Sequence, residues 1–437
     1  MLSKRVGAPV RRALQGLLCA ALLGLAAPGP ALAADPVVPA QVLVKLRSDT
    51  DLAGLLARHG LTLAARFGAR PIYRLAVIGN AVLADKIAAL QADPAVVLAE
   101  TNTVHRSPEA RKNLVWVIGT AQEYAVQWAP QAIRLSSAHR RSIGTGVRVA
   151  VLDTGVDIRH PALVSRLLPG YDFVDGDTDP SEQGVAGDGG WGHGTHVAGI
   201  VAMVAPGARI MPLRVLDAQG QGNTWVLAEA MLHAIDPDHN PATDDGAHVI
   251  NLSLGTVDPT QLMGALTALA SCSFVTAPDP LDDYTDAGYN DDRQRCGNSI
   301  GAVVVAAAGN GGDPHERQYP AAEGAYGLIP VGATKAGSLM ADFSNSGSWI
   351  NLAAPGDHIT STLPGGGYGT WGGTSMAAPM VAGAAALLRA LEPTLVAVDV
   401  LRRLERRSAA LCGKTKQRQL DVGAAVAGSR PANLVCP

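Results

Sequence analysis

Three short segments lie far apart in the chain, and each sets one polar side chain among small neighbours. They are Val151-Leu152-Asp153-Thr154-Gly155, His193-Gly194-Thr195-His196-Val197-Ala198-Gly199 and Gly373-Thr374-Ser375-Met376-Ala377-Ala378-Pro379. They supply a carboxylate, an imidazole and a hydroxyl. A serine hydroxyl attacks a carbonyl only when a base takes its proton, and the base works best when a carboxylate holds its tautomer. Taken singly, each residue has a plainer reading: Asp153 closes a turn before Gly155, and Ser375 caps a helix. Taken together, in the order Asp…His…Ser, they point to nucleophilic acyl transfer, which occurs on unrelated folds in different chain orders. A fourth segment, Ala306-Ala307-Ala308-Gly309-Asn310, adds a side-chain amide that can donate to a developing oxyanion. His196 stands three residues after His193, whereas a zinc pair on a helix stands four apart around a Glu, so His196 reads as a packing residue.

These residues need a rigid frame. Val147–Leu152, Val249–Leu254 and Ala302–Ala308 are continuous apolar runs, as in strands buried on both faces of a parallel sheet. Helical stretches intervene at about 194–204, 225–235, 259–270 and 375–391. The expectation is an α/β fold with a doubly wound, mostly parallel sheet, helices on both faces, and a site at the carboxyl ends of the strands. Ser375 opens an apolar helix of small residues, where the helix dipole favours negative charge nearby. Asn251-Leu252-Ser253-Leu254-Gly255 offers a strand end along which an extended peptide could pair.

The chain has 437 residues, 47% hydrophobic and 17% charged, with a net charge of −3. That balance supports a large core and argues against nucleic acid as a partner. Residues 1–33 read as an export signal. Lys4, Arg5, Arg11 and Arg12 precede the apolar stretch Leu14–Ala27, and Ala31-Leu32-Ala33 fits a cleavage site. No later segment reads as membrane-spanning. Residues 34–104 follow the order βαββαβ, a small ferredoxin-like unit, with Asp49 or Thr50 as the cap of its first helix. The polar stretch Glu100–Asn113 reads as exposed and easily cut, with a processing linker at 105–112 and the main domain at 113–437.

After loss of Cys19 with the signal, Cys272, Cys296, Cys412 and Cys436 remain. An even number in an exported chain favours two disulfides. Cys272–Cys296 and Cys412–Cys436 are favoured because each closes a local loop. No metal ligands are assigned. Asp236-x-Asp238-x-Asn240 resembles the start of a calcium loop but lacks the following Gly, and the acidic loops read as solvated.

The four motif segments together resemble the subtilisin-like (subtilase) serine endopeptidases. The resemblance implies Asp153 as the orienting acid, His193 as general base and then acid, Ser375 as nucleophile, and Asn310 in the oxyanion hole with the Ser375 N–H. It implies Ser253, Leu254 and Gly255, with Gly309 nearby, as the lining of the first specificity pocket, and Gly220 and Gly222 as the opposing edge of the substrate groove. It further implies that residues 34–104 are a prodomain that assists folding and inhibits the enzyme in cis until cut. The substrates would be proteins or peptides, the enzyme a monomer, secreted or periplasmic, without a required cofactor. Calcium is left open as a structural ion, since the loop that holds a tight calcium in many family members, after the catalytic histidine, is missing from Ala198–Val204. An esterase would be expected to carry Gly-x-Ser-x-Gly in the order Ser…Asp…His, which this chain does not.

Overall fold

A computed structural model describes residues 36–111, 117–272, 296, 299–325, 327–413, 415–434 and 436. The expected export signal and residues 273–295, between Cys272 and Cys296, lie outside the described residues.

Residues 37–106 carry strands β1 (Val37–Leu46), β2 (Leu61–Arg66), β3 (Ile72–Val77) and β4 (Val96–Arg106), with helices α1 (Leu52–His59) and α2 (Leu83–Gln91). The strands pair antiparallel in the order β2-β3-β1-β4. Leu55 and Leu90 from the helices pack with Val42, Val44, Leu46 and Leu75 to form a separate core cluster. The first helix starts differently from the expectation. Ser48 accepts the Thr50 N–H and opens a short 3-10 turn, Asp49–Asp51, so α1 begins only at Leu52.

The large sheet is parallel through Leu352–Pro355, Leu328–Lys335, Val303–Ala307, Val249–Leu252, Arg148–Asp153, Arg209–Arg214 and Tyr171–Asp172, in that spatial order. Arg148–Asp153 has two faces to fill. Val149 and Val151 pack against helices His193–Val204 and Thr374–Leu391. Ala150 and Leu152 pack against helices Thr224–Ile235 and Gln261–Ala270. This strand therefore reads as an apolar run and not as an alternation. The chain leaves it first toward one edge of the sheet and later toward the other, so Asp153 stands where the winding reverses, the usual place for a ligand cleft.

Helix Thr374–Leu391 is apolar on all sides because it is enclosed. By length and composition it could cross a membrane, yet 89% of it is buried inside the protein. A Cβ on Gly383 would lie 2.6 Å from Val204 Cβ, so this glycine permits the close approach of the helix to His193–Val204. That second helix runs unbroken to Val204, as expected from the sequence. Disulfides join Cys272 to Cys296 and Cys412 to Cys436, each across 24 residues.

Strand β4 also holds the small sheet to the large domain. Asn102 Oδ1 accepts the Trp225 N–H at 3.1 Å, and the Glu100 carboxylate accepts the Gln261 and Leu262 N–H groups at 2.8 and 3.2 Å. Helix N-termini carry free donors, and both contacts satisfy them from outside the helix. Burial pushes the Glu100 carboxyl up to about 7 against those two bonds.

Candidate active site

Asp153 closes its strand, His193 opens the helix His193–Val204, and Ser375 stands in the first turn of the helix Thr374–Leu391. The fold brings all three side chains together, and none is exposed by more than 2%. His193 Nδ1 lies 2.6 Å from Asp153 Oδ1, which also accepts the Thr154 N–H at 2.8 Å. A Cβ on Gly194 would collide with the Gly155 carbonyl and come within 3.0 Å of Asp153 Cβ. Only a glycine after His193 lets the two turns close so far. His196 lies flat against Trp371, with ring centroids 4.4 Å apart, and its Nε2–H donates to the Gly369 carbonyl. Burial holds its pKa down to about 3, so it packs as a neutral ring.

Asn310 follows the strand Val303–Ala307 and the left-handed Gly309 (φ +98°). Its Oδ1 accepts from the Thr374 N–H and hydroxyl, both at 2.9 Å, which fixes the orientation of the amide. Ser253 Oγ donates to the Ser375 carbonyl at 2.9 Å. That carbonyl is available because Pro379, four residues on, has no N–H to bond it. Leu254 is buried in the core beside Leu252 and Ala306. Gly309 packs against Gln318 and Asn345 and donates its N–H to Thr374 Oγ1.

Glu109 was not among the expected site residues, yet it occupies the centre. Its Oε2 accepts from Ser375 Oγ at 2.7 Å and from His193 Nε2 at 2.9 Å, and its Oε1 accepts from Asn310 Nδ2 at 2.9 Å. A Cβ on Gly373 would overlap Oε1, so glycine there leaves the seat open. Burial opposes the charge on Glu109, but the bonds from His193, Ser375 and Asn310 outweigh it and hold the carboxyl below its usual range. Burial likewise opposes charge on His193, and Asp153 and Glu109 outweigh it, so its pKa stands well above the usual imidazole value. The result is a buried imidazolium between two carboxylates.

The approach to this seat corrects the expectation of exposure for residues 100–109, each of which is buried or half-buried. Arg106 exchanges two backbone hydrogen bonds with Gly255, at 2.9 and 2.8 Å. Val104, His105 and Arg106 pair antiparallel with Asn223, Gly222 and Gln221, and the Ser107 N–H donates to the Gly220 carbonyl at 3.2 Å. Residues 104–107 thus form the middle strand between the two edges picked out from the sequence. Backbone pairing on both sides makes burial of this polar stretch affordable, and His105, Ser107 and Glu109 are all buried. Pro108 then has no N–H to continue the ladder. The chain turns into the 3-10 segment Pro108–Arg111, which swings the Glu109 side chain onto Ser375.

Elsewhere, the Asp236, Asp238 and Asp245 carboxylates gather within 4.8 Å of one another. Asp236 and Asp238 each accept the Asn240 N–H at 2.9 Å.

An imidazole held by a carboxylate, a buried hydroxyl and an amide converge at the strand ends of a parallel α/β sheet, the set of groups that a serine hydrolase uses. Sequence comparison agrees. A profile of the Subtilase family matches residues 144–426, and the chain belongs to this family of subtilisin-like serine endopeptidases. It is 36% identical to the thermophilic serine proteinase of Bacillus sp. (strain AK1), over 69% of this chain and 65% of that protein. It is 37% identical to thermitase of Thermoactinomyces vulgaris, over 60% of this chain and 81% of that protein. It is 36% identical to subtilisin E of Bacillus subtilis (strain 168), over 65% of this chain and 67% of that protein. The match to the first of these spans just under two thirds of the relative's length.

Proposed function

We propose that this protein is a secreted serine endopeptidase made as a zymogen, acting on proteins and peptides. Ser375 Oγ attacks the scissile carbonyl as its proton passes to His193 Nε2. Asp153 holds the other ring nitrogen and stabilises the imidazolium. The oxyanion is met by Asn310 Nδ2 and the Ser375 N–H. The imidazolium then protonates the leaving amine, and water, activated by the same ring, releases the acyl group. These steps call for no metal or cofactor.

One observation carries the reading. The Glu109 carboxylate has one oxygen on Asn310 and the other on Ser375 and His193. A product carboxylate would need the same three donors in the same places. The same contact supports the zymogen reading, because Glu109, in the segment just after the inhibitory unit 34–104, occupies the groups that must react. Secretion rests on the sequence of residues 1–33.

The test is Ser375→Ala. Peptide hydrolysis should fall by more than about a thousandfold, and the uncut proform should accumulate. Normal hydrolysis by this variant, or failure of an active mature form to react with a serine-directed fluorophosphonate, refutes the mechanism.

A further inference from the structure

The start of helix His193–Val204 poses a capping problem. Its N-cap is Gly192 (φ +81°), which has no side chain to offer. Nor is there room for one, since a Cβ there would lie 3.1 to 3.4 Å from Pro364, Leu363 and Trp371. The first-turn donors must therefore be met from outside the helix. The Gly194 N–H goes to Thr154 Oγ1 at 2.9 Å, and the Thr195 N–H goes to Glu182 Oε2 at 3.0 Å. The Thr195 hydroxyl also donates to Glu182 Oε2, at 2.7 Å, and the Thr154 hydroxyl donates to Glu182 Oε1 at 2.5 Å.

Glu182 thus grips two threonines. Thr154 directly follows Asp153, and Thr195 stands two residues after His193. The strap that carries Glu182 is itself seated on the Asp153 turn. The Val156 N–H donates to the Pro180 carbonyl at 3.0 Å, and a Cβ on Gly155 would press into the Pro180 and Ser181 carbonyls. Neither end of the clamp touches Ser375 or the seat held by Glu109.

We infer that Glu182 is a positioning residue that sets the Asp153–His193 pair by tying the turn after Asp153 to the first turn of the His193 helix. The inference rests on the proposed roles of Asp153, His193 and Ser375. It assigns Glu182 no contact with substrate.

Glu182→Ala frees both threonines and lets the two turns drift. In the mature enzyme kcat should fall on the order of ten- to a hundredfold, the scale of a small misplacement of reacting groups, with KM unchanged. The acid limb of the pH profile should move to lower pH, because a loosened Asp153 supports the imidazolium less. Glu182→Gln keeps the length and can still bridge the threonines, so it should recover most of the lost kcat. Thr195→Val, which removes one arm of the clamp, should fall between Glu182→Ala and the parent if the alanine variant is recovered, and carries the test alone if that variant does not fold. A Glu182→Ala enzyme, or failing that a Thr195→Val enzyme, with parental kcat and an unmoved acid limb overturns the inference, even if its Tm is lower. Activity surviving in Ser375→Ala would instead overturn the reading beneath it.

Discussion

Two glutamates flank the start of the same helix, and their surroundings drive them in opposite directions. Glu109 meets a cation, the His193 imidazolium, and is held below the usual carboxylate range. Glu182 is enclosed among neutral donors, and burial, with a further push from the Asp153 charge, raises it to about 7 against the bonds from Thr154 and Thr195. The first is a carboxylate that gains from being charged where it sits. The second sits at a cost when charged, as structural groups behind an active site often do. In our reading the contrast separates a removable contact, carried just after the inhibitory unit, from a permanent one built into the frame. It also shows that burial alone does not set the charge state; the nearest partner does.

The largest effect expected from breaking the comparison is at Asn310, which donates to Glu109 in the proform and in our reading to the oxyanion in the mature enzyme. Asn310→Ala should lower kcat by roughly a hundred- to a thousandfold, a magnitude that comes from this family itself, with little change in KM. Steady-state kinetics on a short peptide substrate measures it. A loss of less than about fivefold would place the oxyanion elsewhere.

A smaller effect is expected when the removable glutamate loses its charge. Glu109→Gln should weaken the latent state by about ten- to a hundredfold, the range for one charge-assisted hydrogen bond, and speed the appearance of activity accordingly. The pH dependence follows from the signs. Glu109, lowered by docking, contributes fully above the ordinary carboxylate value of 4.5 and is lost as pH falls through its docked value. His193 is raised first by Asp153, which stays in place, and further by Glu109; only the Glu109 share belongs to docking, and it is lost as pH rises through the docked value of His193. Latency should therefore be strongest above about pH 4.5 for as long as His193 keeps its proton and weaken in alkali, and the Gln variant should lose most of that pH dependence. Timed activation of the proform across pH follows both. Identical time courses for Glu109→Gln and the parent would remove Glu109 from the inhibitory contact.

The smallest effect is at the permanent glutamate. A carboxyl raised on folding favours the native state when protonated, so its cost is absent below 4.5, grows as pH rises, and is complete above about 7. Glu182→Gln keeps the shape and removes the charge. It should be more stable than the parent above pH 7, by about 1–3 kcal/mol, and no more stable at pH 4. Denaturant unfolding of an inactive Ser375→Ala background at the two pH values measures the difference. Equal stability at pH 8 would mean that Glu182 is not penalised for its charge.

Much of this site was legible before any fold. Asp153, His193, Ser375 and Asn310 each sit at the end of an apolar run or the start of an apolar helix, beside small residues, and those are local properties. Their meeting could be expected because a parallel sheet gathers its strand ends at one edge. Glu182 was hidden because nothing near it in the chain says that Gly192 lacks a cap, or that the missing partner lies ten residues back. Glu109 was read as part of an exposed linker because a polar composition near a proline suggests solvent.

The sequence alone therefore determined the chemical groups, their order and the kind of sheet that could assemble them, since residue type and periodicity are encoded locally. Only the tertiary structure decided which acids those groups face. That depends on strand register and on the 84 residues separating Glu109 from His193. Pairing β4 between Gly220–Gly222 and Gly255 places Glu109 on Ser375, and a slip of one residue would turn every side chain of that strand to the other face.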